Sequence, residues 1–160
     1  MGCCILLLRE EAQLAQKMIN TLYLWYPMLN DHLIKSELNM VPEWEHSNHS
    51  NMTEIFHLIA TDWENQQDDP LLYPGKLSLE ECKFLPGVVL TTAEHDFVRR
   101  DVHNLVPKLK KAGVYVDHMD IAACSHGLPT VTQEGDKFEL WYYDMVNCFA
   151  KHSMSKNKFA

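Results

Sequence analysis

The sequence has no CxxC spacing, and its five cysteines (Cys3, Cys4, Cys82, Cys124 and Cys148) form an odd set. That excludes a complete disulfide framework and leaves nothing to suggest a structural zinc site, so reduced, mostly buried thiols are the expectation. Nine histidines occur without HExxH or any other paired-ligand spacing, and His46 and His49 fall in a polar stretch, so no metal site is expected. No run reaches the roughly 18 to 20 apolar residues of a membrane-spanning helix. The apolar start also lacks a basic leader and a small-residue cleavage site, which argues against a signal peptide. There is no basic excess either. The formal charge is -8, spread along the chain, which argues against a nucleic-acid surface.

What is present is enough for a core. With 160 residues and 46% apolar content the chain has the length and composition of one ordinary domain. Residues 5 to about 17 read as a helix with a strongly apolar first turn. "MINTLYLWYP" reads as a buried strand, ended by Pro27 and Asn30-Asp31. After an irregular polar excursion, Ile55, Leu58, Ile59 and Trp63 recur at helical spacing behind Asn51 as a cap.

The second half is more regular. "QQDDPLLYPGKLS" is loop, and residues 79–83 add one helical turn. "PGVVLTTAEHD" is the clearest strand, followed by a helix from about Val98 to Lys111 with Val102, Leu105, Val106 and Leu109 inward and Gly113 as its stop. Pro107 inside that helix costs up to about 3 kcal/mol unless the helix kinks. "VYVDHMDIAA" is a further strand and "CSHGLP" its turn. From 137 to about 151, Phe138, Trp141, Tyr142, Met145 and Phe149 form the buried stripe of a last helix, and residues 151–160 are a tail.

Strand, helix, strand, helix in this order predicts an α/β fold with parallel strands joined by right-handed crossovers. Chemistry in such sheets gathers at the carboxyl ends of the strands, where Asp96 and His126 stand. An acid accepting a hydrogen bond from one imidazole nitrogen fixes the tautomer and stabilises the imidazolium formed when the other nitrogen takes a proton. The non-catalytic alternatives are a helix N-cap for Asp96 and a turn role for His126.

"LPGVVLTTAEHDFVRRD" followed by "KLKKAGVYVDHMDIAACSHG" resembles the closing half of the hormone-sensitive-lipase-like branch of the α/β-hydrolase fold. "YPMLND" and "MTEIFHLIATDWENQQDDPLLYP" extend the resemblance over nearly the whole chain. The resemblance implies a carboxylic ester hydrolase with Asp96 as triad acid and His126 as general base, needing no cofactor and acting on a small-molecule ester or lipid-like substrate. Arg99 and Asp101 sit where this branch has charged residues after the acid, and Phe97 replaces a usual proline. Trp44, Phe56 and Trp63 are apolar candidates for a pocket lining, with packing into the core as the favoured role for each. On this frame residues 1–30 are a helix and strand behind a nucleophile elbow, 31–75 a lid-like insertion, and 76–150 the acid strand, helix, histidine strand-loop and final helix of one partial domain.

Neither the GxSxG elbow nor an HGGG-type oxyanion loop occurs in the sequence. Ser36, Ser47, Ser50, Ser78, Ser125, Ser153 and Ser155 all lack the elbow. "MG" ahead of "CCILLLREEAQ" fits the last two letters of that motif and its following helix, which would place the nucleophile just before Met1. The chain is therefore expected to be the C-terminal portion of such an enzyme, inactive and marginally stable alone, and prone to self-association through an open sheet edge. A non-catalytic binding protein on the same half-fold, or an incomplete gene product, is the alternative. A lipid anchor on Gly2 with Cys3 or Cys4 competes for the same opening letters, but Leu6 stands where myristoylation wants Ser or Thr. The sequons Asn48-His49-Ser50 and Asn51-Met52-Thr53 would matter only in a lumen. A cytoplasmic location is the expectation.

Overall fold

The computed structural model describes residues 18–30 and 68–127, together with positions 10, 11, 42, 43, 46, 51, 54, 58, 65, 66, 143, 146, 147 and 150. The helices expected over 5–17, 52–65 and 137–151, and the side chains of Trp44, Phe56 and Trp63, lie largely or wholly outside those residues. By its contacts the chain divides into two compact units, Met1–His126 and Gly127–Ala160.

The first unit contains a sheet of three parallel strands: β1 (Thr21–Trp25), β2 (Gly87–Ala93) and β3 (Val116–Ile121), in the order β1-β2-β3. Thr21 pairs with Gly87 and Val88 with Val116, so the two ladders run in step along β2. From Val88 to Ala93 every residue of β2 is buried, as expected for a central strand covered on both faces. β1 is shorter than the apolar run around it. Met18 is still helical, and beyond Trp25 the backbone of Tyr26 turns to φ +44, which ends the strand before Pro27.

The crossover from β2 to β3 is helix α2 (Arg99–Lys111), preceded in the chain by the short helix α1 (Leu79–Cys82). α1 owes its start to a capping box, in which Ser78 and Glu81 exchange side-chain and backbone hydrogen bonds. α2 runs through Pro107, and its inward stripe of Val102, Leu105, Val106 and Leu109 packs with Leu29, Leu77, Cys82, Leu85, Val88 and Leu90 as the core. It stops at Gly113, φ +80. The Gly113 N–H reaches Lys110 O and the Val114 N–H reaches Leu109 O, both at 3.0 Å, which is the Schellman pattern. Lys108 leaves the helix to donate to the carbonyls of Gly75 and Leu77 and so ties the 3-10 turn Pro74–Lys76 to α2. Cys82 and Cys124 are buried thiols outside any disulfide.

Candidate active site

The site lies where the three strands end. β1 delivers Tyr26, β2 delivers Asp96 and β3 delivers His126, each from the turn after its strand. The two residues that the sequence nominates come together: His126 Nδ1 lies 2.9 Å from Asp96 Oδ2 across 30 residues of chain.

Asp96 does two jobs with one carboxylate. Its Oδ1 accepts the backbone N–H of Val98 at 2.9 Å, just ahead of α2, while Oδ2 faces the imidazole. Val98 is the N-cap of α2 and takes no side-chain cap, so Asp96 is not the helix cap; one of its oxygens closes the turn ahead of the helix and the other faces His126. The Asp96 side chain is wholly buried, and that of His126 is 22% exposed. An ionised carboxylate only accepts, so Nδ1 is the donor and, in the neutral ring, Nε2 is the basic nitrogen.

Two aromatic rings hold the imidazole. Phe97 stacks on it with centroids 5.3 Å apart and planes at 29°, and Tyr26 meets it edge-on at 5.7 Å and 61°. Burial, with Cys124 and the Asp96 carboxylate nearby, pushes the Tyr26 phenol above its ordinary value, so it stays neutral. Tyr26 is not among the residues that the sequence nominates. Its position directly after β1, at the same end of the sheet as Asp96 and His126, is the signal that would have found it. Phe97, read as a local departure, packs on the histidine.

Arg99 and Asp101 do not touch the pair in the same way. Arg99 Nε is 3.1 Å from both carboxylate oxygens of Asp120 on β3, and Asp101 turns to the segment after β1. Beside Arg99, the Thr92 hydroxyl donates to Asp120 Oδ1 at 2.9 Å. Its single proton thus spent, it accepts from His118 Nε2, also at 2.9 Å. Burial opposes the Asp120 charge, but the hydrogen bonds from Arg99 and Thr92 outweigh it and hold the carboxyl below its usual range. Among the described residues no group of three or more His, Cys, Asp or Glu side chains is placed to hold a metal ion. Nor is any described helix long and apolar enough to cross a membrane.

Fold and pair together define an α/β protein with its acid and histidine at the carboxyl ends of adjacent parallel strands. The chain belongs to the alpha/beta hydrolase fold family, whose model matches residues 3–130. Solved structures share the architecture at low identity. Brefeldin A esterase, a bacterial homologue of human hormone sensitive lipase, superposes with a TM-score of 0.79 at 18% identity, over 99% of this chain and 45% of that one. Carboxyl esterase 2 of Tuber melanosporum gives 0.73 at 16% identity, over 94% of this chain and 48% of its own. An esterase of Rhizomucor miehei gives 0.69 at 18%, over 96% and 48%. The chain thus spans less than half the length of each of these esterases. Among curated proteins none matches it.

Proposed function

We infer that this chain carries the acid and general base of a serine-type carboxylic ester hydrolase. The observation that supports the reading is the hydrogen bond between His126 Nδ1 and the fully buried Asp96 carboxylate at the strand ends. In the reaction His126 Nε2 takes the proton of a nucleophilic hydroxyl as it attacks the ester carbonyl, and returns it to the departing alcohol. Asp96 orients the ring and stabilises the imidazolium in between. The same base then takes a proton from water as it attacks the acyl-enzyme, and hands that proton to the nucleophile's oxygen as the acid departs. Small-molecule or lipid-like carboxylic esters are the substrate class, by kinship with the esterases above.

The sequence holds no GxSxG elbow, so the pair needs a nucleophile from an elbow-bearing segment. The test joins the chain behind such a segment and follows hydrolysis of p-nitrophenyl acyl esters. His126→Ala is expected to lower kcat by about 10⁶-fold; turnover that ignores the substitution would sink the reading. The missing elbow also favours a second reading for the chain alone, a non-catalytic binding protein. Saturable ester binding without hydrolysis, in the chain by itself and equally in the joined form, would support that one.

A further inference from the structure

We propose that Glu94 is a positioning residue, holding the histidine-bearing loop against the acid-bearing loop through the backbone N–H of Ala123. The inference rests on the reading of Asp96 and His126 as acid and base.

Beyond the ends of β2 and β3 two further backbone hydrogen bonds join the segments that follow them. The Glu94 N–H donates to Ile121 O and the His95 N–H to Cys124 O, both at 2.9 Å. Glu94 and His95 are consecutive, whereas Ile121 and Cys124 are three apart. Ala122 and Ala123 form the turn between these two acceptors. The turn leads the chain toward His126 through Ala123 at φ +55, a left-handed conformation that alanine rarely adopts. The N–H of that strained residue is held at 2.7 Å by Glu94 Oε2. One carboxylate thus pins the residue on which the path to His126 depends.

Glu94 is in turn the second residue before Asp96, and its own carbonyl faces Arg99 Nη1 at 3.5 Å while Arg99 grips Asp120. Its side chain reaches neither the imidazole nor the triad acid. It acts by fixing the separation of their two loops, which the 2.9 Å contact between Asp96 and His126 requires. Because Glu94 is exposed, its replacement leaves the core intact.

Solution NMR of the chain tests this. The His126 Nδ1–H, held by a buried carboxylate, should give a low-field proton resonance, identified by its loss in Asp96→Ala. Glu94→Ala should broaden or abolish that resonance and speed exchange of the Ala123 amide by about tenfold or more. Glu94→Gln, whose amide oxygen still accepts from Ala123, should preserve both. Glu94→Asp keeps the charge but loses reach, so it should behave like the alanine variant and takes its place if that variant fails to fold. An unchanged His126 resonance in Glu94→Ala or Glu94→Asp overturns the inference. If the resonance is absent from the unsubstituted chain, the reading of Asp96 and His126 fails. In that case an Ala123 amide whose exchange ignores the Glu94 substitutions overturns the clamp as well.

Discussion

The carboxylate of Asp101 on α2 accepts the backbone N–H of Leu29, 72 residues earlier in the chain, at 2.9 Å. The same Oδ2 takes the Asn30 N–H at 3.0 Å, and Oδ1 takes the Asn30 side-chain amide at 2.7 Å. Three donors converge on one buried acid, and the segment leaving β1 is thereby fixed to the helix that follows Asp96.

Removing that acid strands two backbone donors, of which Leu29 is fully buried. Asp101→Ala is expected to cost about 3 kcal/mol, since each buried donor left unsatisfied costs about 1–3 kcal/mol. Urea unfolding monitored by tryptophan fluorescence measures it. A loss within about 0.5 kcal/mol, the range of ordinary surface substitutions, would show that the contact is dispensable.

Gly75 stands against the same group. A Cβ at this position would meet the Asn30 side chain within clashing distance, while the Gly75 N–H is tied at 2.8 Å to Leu29 O. Gly75→Ala should therefore destabilise by about 1–3 kcal/mol by displacing Asn30 from Asp101. In an Asn30→Ala background most of the cost should vanish. Additive losses in that double-mutant cycle would refute the coupling.

Pro107 occupies the interior of α2 and is exposed. It supplies no N–H toward His103 O, and its ring crowds that carbonyl. Pro107→Ala is expected to raise stability by about 2 kcal/mol, the helical gain reduced by the larger entropy of the unfolded chain. A lowered Tm in this variant would mean that the proline shapes α2 in a way the core requires.

His118 gives a pH dependence of defined sign. Burial, and then the facing His103, holds its imidazole below the ordinary value of 6.5; Lys110 and Arg99 act the same way, and Asp120 opposes them. A depressed folded value means that its contribution is fully present above about pH 6.5 and is lost as pH falls through the folded value. Stability should drop between pH 7.5 and 5, and His118→Gln should flatten that drop. Asp120 is a depressed carboxylate, so its contribution disappears only in the more acidic range, below the ordinary carboxylate value. Parallel pH profiles for the two proteins would exclude His118 as the source.

Composition and local pattern determined much. The even burial of β2 was legible from an unbroken β-branched run, the inward stripe of α2 from its 3.6-residue period, and its stop from Gly113. Asp96 and His126 could be nominated because strand-helix-strand order alone puts both at one end of a parallel sheet. These are short-range properties, written in neighbouring letters.

Only the tertiary structure decided which groups touch. Leu29 and Asp101, Thr92 and His118, and Glu94 and Ala123 are 72, 26 and 29 residues apart, and no periodicity links them. Tyr26 and Phe97 read as strand-end and loop aromatics until the fold set both rings against one imidazole. The split of the Asp96 carboxylate between a backbone N–H and a histidine belongs to the same class. Sequence states which donors and acceptors exist and how often apolar residues recur. Their pairing depends on where parallel strands and their crossover helix carry them, which the packing of the whole chain determines.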